Sequence, residues 1–111
     1  MKIAHERSGT TDVLHAEGRI DASSAPDLET ELLALIESGE NSVVFDLEQV
    51  DYISSAGLRV LLIAVKTLAS ESRKFALAAP NDDVMNVIRM TGFDKILTVG
   101  ETLGLALSEV G

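Results

Sequence analysis

The chain has no cysteine and no tryptophan, only two prolines, and a sparse set of aromatic residues: Phe45, Tyr52, Phe75 and Phe93. The missing thiols exclude a disulfide framework and thiolate metal sites. The scarcity of rings means that any core is aliphatic. Cations are short too: 9 Lys and Arg against 18 Asp and Glu leave a formal net charge of −9. Nucleic acid demands a basic face, so no nucleic-acid partner is expected. The charge fits a solubilised surface or a partner that presents Arg and Lys. Long apolar runs are also lacking. The longest, around Leu58 to Leu68, is interrupted by Arg59 and Lys66 and falls short of the ~20 residues that span a bilayer, so no membrane insertion is expected. Met1-Lys2 leads into a strand-like stretch rather than the apolar segment of a secretory signal. The expectation is a cytoplasmic protein.

What is present suits one domain, 1–111, with 46% hydrophobic and 24% charged residues. Lys2–Arg7 and Asp12–Glu17 read as a hairpin around the turn signal Ser8-Gly9-Thr10-Thr11, with Gly18 breaking the pattern. A helix starts near Ser24-Ala25-Pro26-Asp27, carries Leu28, Leu32, Leu35 and Ile36 at helical spacing, and ends at Gly39. Ser42–Leu47 is a nearly continuous apolar run, as in a strand covered on both faces. Glu48–Asp51 reads as a connection to a second helix, with a stripe at Leu58, Leu61, Leu62, Val65, Leu68 and Ala69. Lys74–Ala79 reads as another strand, stopped by Pro80. Asn81 or Asp82 caps a short helix closed near Gly92, Ile96–Val99 forms a last strand, and Glu101–Val110 a last helix. The order β-β-α-β-α-β-α-β-α predicts an α/β fold: a mixed sheet of four to five strands, largely parallel with an antiparallel edge, and about four helices.

The most informative segment is Val50-Asp51-Tyr52-Ile53-Ser54-Ser55-Ala56-Gly57-Leu58-Arg59, which places two serines where a helix begins. A hydroxyl there caps the helix, and the free amides and the helix dipole also suit a phosphate. Hydrolase chemistry is not supported. His5 and His15 both fall on the first hairpin, the first glycine of a G-x-S-x-G elbow is missing, and no histidine follows. No phosphate loop or metal-ligand spacing appears, so neither a metal nor a cofactor is expected. Among the acids, Asp46 reads as the C-terminal end of the central strand, the edge where open α/β sheets bind ligands. Asp21 precedes the first helix at the same edge. Asp21 and Asp51 equally suit turn and cap roles.

These elements resemble the STAS domain family, over essentially the whole chain. The matching features are Gly18-Arg19-Ile20-Asp21, Val43-Val44-Phe45-Asp46-Leu47, the serine segment through Leu58, and Met90-Thr91-Gly92-Phe93 before Ile96. The resemblance implies a stand-alone anti-sigma factor antagonist. Its unphosphorylated form would bind a GHKL-type anti-sigma factor kinase, phosphorylation would inactivate it, and a PP2C-type phosphatase would reset it. By position the acceptor is Ser55, with Ser54 a secondary site standing where many members carry aspartate. Asp21, Asp46, Ser54, Ala56, Gly57, Leu58 and Arg59 are assigned to the partner-binding edge. The alternative is a scaffold that is never phosphorylated, such as a subunit of a lipid-transport ATPase complex. A monomer or weak dimer is expected, since the first hairpin leaves an exposed edge.

Overall fold

The computed structural model describes residues 1–111. Its elements run β1 (Lys2–Ser8), β2 (Thr11–Ile20), α1 (Ala25–Ser38), β3 (Ser42–Ile53), α2 (Ser55–Ser70), β4 (Phe75–Ala78), α3 (Asp82–Met90), a 3₁₀ turn (Phe93–Lys95), β5 (Thr98–Gly100) and α4 (Leu103–Val110). The five strands lie in chain order. β1 is antiparallel to β2, and every later pair is parallel.

This order fixes the layers. Each parallel connection steps the same way across the sheet, and right-handed crossovers then put α1, α2 and α3 on one face. The aliphatic core forms there, where Leu28, Leu32, Leu58, Leu61, Val84 and Ile88 meet Leu14, Phe45 and Leu77. α4 follows the last strand and covers part of the other face, packing Ala106 and Val110 on Val13, Val44, Ala76 and Ala78. The small residues let α4 come close. A Cβ on Gly100 would lie 2.5 Å from the Ala106 backbone nitrogen.

Several strand boundaries differ from the sequence reading. The last strand is Thr98–Gly100 rather than Ile96–Val99, because Ile96 closes the 3₁₀ turn. Two other differences bear on the site. Gly18 does not end β2; it sits inside it at φ +108°, next to breaks in the β2–β3 register, a backbone conformation open mainly to glycine. β3 does not stop at Leu47 either. Its pairing with β4 ends at Asp46↔Ala78, but it runs on beside β2 to Ile20↔Ile53. The free side of this extension is held by the Asn81 side chain, whose Nδ2 donates to the Val50 carbonyl at 3.2 Å. The long β2–β3 pair carries Asp21 and Ser54 out together beyond the body of the sheet. No helix is long and apolar enough to cross a membrane.

Candidate functional site

At the tip of the extension, the Ser54 amide donates to the Ile20 carbonyl at 2.8 Å, closing the two chains side by side. Ser54 has extended backbone angles (φ −92°, ψ 172°), and its Oγ accepts the Gly57 amide at 3.3 Å while its carbonyl accepts the Leu58 amide at 3.0 Å. It is the N-cap of α2. Ser55, the first helical residue, is exposed, and its hydroxyl makes no hydrogen bond within the fold. One serine is committed to structure; the other is free.

Asp21 lies beside this tip, one residue after Ile20, and organises the turn into α1. Its carboxylate accepts the Ser23 hydroxyl at 2.7 Å and the Ser23 and Ser24 amides at 3.0 and 3.1 Å, and its carbonyl accepts the Ala25 amide at 2.8 Å. The Ser23 hydroxyl, followed by the Ser24 and Ser23 amides, holds the Asp21 carboxyl below its usual pKa. Its role here is to fix the loop against which Ser54 is tied. On the neighbouring strand positions, the Arg19 guanidinium lies 4.4 Å over the Tyr52 ring, a cation–π pair flanking the same tip.

Between the N-terminal halves of α1 and α2 runs an open groove of about 390 Å³, whose walls include Ala22, Pro26, Glu29, Ala56, Arg59 and Val60. Ala56 and Arg59, assigned to the partner-binding edge, line an accessible face beside Ser55. Three other residues do not. Asp46 is mid-strand rather than at the strand end, 7% exposed, and engaged elsewhere. Leu58 is 1% exposed and belongs to the core. Gly57 is buried, and a side chain there would meet Ile20 and Ile53 rather than a partner. Its lack of a Cβ serves close packing beneath the tip, not close approach from outside.

The STAS domain profile matches residues 2–106. The chain belongs to the STAS domain family. BtrV of Bordetella bronchiseptica, provisionally named an anti-sigma factor antagonist, is 34% identical over 102 residues, covering 92% of this chain and 88% of BtrV. An anti-sigma factor antagonist from Mycobacterium paratuberculosis has a crystal structure of the same fold, with TM-score 0.89 and 30% identity, covering 98% of this chain and 92% of that one. The anti-sigma factor antagonist SpoIIAA, in its unphosphorylated form, shares the fold at TM-score 0.81 and 18% identity, covering 98% of this chain and 96% of that one.

This STAS domain also carries a cluster that sequence reasoning missed. His15 on β2 points its Nδ1 at Asp46 Oδ2 (2.7 Å) and its Nε2 at Glu6 Oε1 (2.6 Å), joining β1, β2 and β3. Only an imidazolium donates to both oxygens at once. Burial disfavours the charge, but the hydrogen bonds that the imidazolium donates to Glu6 and Asp46 outweigh it and hold the His15 pKa above its ordinary value. His5 is bound likewise, its Nε2 lying 3.0 Å from Asp12 Oδ1. Both imidazoles are therefore tied to carboxylates on β2 or its neighbours, and neither is a partner of Ser55. The Glu6–His15 contact follows from the hairpin register, Ala4↔His15. The Asp46 contact needs the His15↔Asp46 register of β2 on β3, which no local pattern supplies.

Proposed function

We propose that this protein is an anti-sigma factor antagonist of the partner-switching kind, with Ser55 as its phosphate acceptor. The observation that carries the reading is the division of labour between the two serines. Ser54 caps α2, while Ser55 is exposed, its hydroxyl makes no hydrogen bond within the fold, and it directly precedes Ala56, which lines the α1–α2 groove. In the unphosphorylated form this face binds an anti-sigma factor with a GHKL-type ATPase fold, displacing what that factor holds. The names of BtrV and of the Mycobacterium paratuberculosis protein support the role.

The switching step is a phosphoryl transfer. Ser55 Oγ attacks the γ-phosphorus of ATP held by the kinase, the bond to ADP breaks, and the hydroxyl proton passes to a base that the kinase supplies. A PP2C-type phosphatase hydrolyses the ester and restores the hydroxyl. The added phosphate brings roughly −1.5 to −2 charge to a helix start whose first amides are unbonded within the helix. The fold tolerates it there, and the docking face changes instead. A loss of about 3 kcal/mol in partner binding already corresponds to more than a hundredfold in affinity.

Intact-mass spectrometry after incubation with ATP and a GHKL-type kinase of the source organism tests the reading. One added phosphate on the wild type and on Ser54→Ala, absent from Ser55→Ala, is the expected result. No phosphate on any of them, with the kinase active on its own substrate, would sink the switch and favour a scaffold that is never phosphorylated.

A further inference from the structure

Arg59 is the only cation lining the α1–α2 groove, and none of the ion pairs in the fold includes it. That is notable in a chain with twice as many acids as bases. It stands four residues after Ser55 on α2, so the two share a helix face with Cβ atoms about 5–6 Å apart. Helical side chains lean towards the N-terminus, which directs the guanidinium back over the turn that Ser55 opens. The nearby alternatives are less suitable. Arg19 lies over the Tyr52 ring, and Lys66 is nearly two further turns along α2.

We propose that Arg59 is the internal counter-ion of phosphorylated Ser55, so that phosphorylation withdraws the groove's one cation from the docking face. The inference rests on the acceptor reading above and deepens it. Before phosphorylation, the face presents a neutral hydroxyl and a free guanidinium able to address an anionic group on the partner. Afterwards the planar fork of Arg59 is engaged by phosphate oxygens, which it matches bidentately. Glu29 lines the other wall of the groove but forms no ion pair with Arg59, and a phosphate dianion attracts the guanidinium more strongly than a single carboxylate. The switch then both adds a negative charge and sequesters a positive one.

The test installs phosphoserine at position 55 during translation and follows its second ionisation, near pH ~6, by phosphorus NMR. Arg59 is exposed, so its replacement leaves the core intact. The midpoint is expected to lie lower in the wild type than in Arg59→Gln by about half a pH unit, a roughly threefold change in ionisation constant. Arg59→Lys retains part of that difference, and Lys66→Gln matches the wild type. Equal midpoints in wild type and Arg59→Gln, or an equal displacement in Lys66→Gln, would overturn the proposal. Because no kinase places this phosphate, such a result removes the role of Arg59 and leaves the acceptor reading standing. An unlabelled wild type in the kinase assay removes the acceptor reading whatever the titration shows.

Discussion

Gly57→Ala puts a helix-favouring residue into a helix and is nevertheless expected to destabilise the protein. In an exposed helix interior the change would gain about 1 kcal/mol. Here the new Cβ would lie 2.6 Å from Ile20 Cγ2 and 2.9 Å from Ile53 Cγ1, against roughly 3.5–4.0 Å for carbon atoms at rest. Neither isoleucine has room to withdraw, since they are 0% and 1% exposed. Overpacking of this kind costs about 1–3 kcal/mol, and the contact is tight enough to take the upper part of that range. The net loss is about 1–2 kcal/mol, or a fall in Tm of roughly 4–10 °C for a chain of this size. Gly104→Ala on α4 is the control, because its Cβ would meet nothing closer than Thr102 Oγ1 at 3.9 Å. It should gain roughly 0.5–1 kcal/mol. Urea and thermal unfolding followed by circular dichroism measure both. If Gly57→Ala proved as stable as the wild type, the packing argument would fail, and the glycine would have to be explained by partner approach after all.

Other expectations are read from the same geometry. Ser54→Ala removes the N-cap hydrogen bond and should lose about 1 kcal/mol, whereas Ser55→Ala removes an unbonded exposed hydroxyl and should stay within about 0.5 kcal/mol; equal losses in chemical denaturation would contradict the division of labour. For His15, whose folded pKa is raised, the stabilising contribution is complete below the unfolded value of about 6.5 and disappears as pH rises through the higher folded value. The wild type should therefore lose stability relative to His15→Gln between mildly acidic and mildly alkaline buffer, and parallel curves for the two proteins would refute the imidazolium bridge. Asp12 acts in the opposite sense. Burial opposes its charge, but hydrogen bonds from His5 and Arg7 prevail and lower its pKa, so its contribution is present above the ordinary value near 3.8 and is lost as acid takes the pH below it. Asp12→Asn should flatten that acid limb of the stability curve.

The element order and the parallel sheet were legible because each helix carries its apolar residues at a clear helical period and each short strand is bounded by turn residues. The tip that holds the site was not. Beyond Asp46, β3 is paired with β2 alone, and its buried residues fall at Leu47, Val50 and Ile53 rather than at alternate positions. The breaks in the β2–β3 register near Gly18 disturb the alternation, so Glu48–Asp51 reads as a connection and Asp46 as a strand end. α2 hides a second feature for a related reason. It packs on α1 as well as on the sheet, so Val60 and Ala64 are buried alongside Leu58, Leu61 and Leu68. A stripe drawn for one apolar face omits them.

The roles of the two serines turn on a single residue of helix boundary. An N-cap residue has extended angles and turns its oxygen towards the amide three positions on, while the next residue projects from the first turn. In a Ser-Ser pair that opens a helix, one hydroxyl is therefore committed and the other is free. Which one is free depends on where the helix begins, and boundaries are uncertain by a residue or two from sequence. The Ser54–Ile20 hydrogen bond resolves this by making Ser54 the last residue tied to the sheet. The position of the free serine is thus set by the length of the β2–β3 pair, a property of two segments more than thirty residues apart. A one-residue slip in that register would change which hydroxyl caps the helix and which is free, so the bulges that pin it belong to the candidate site as much as Ser55 does.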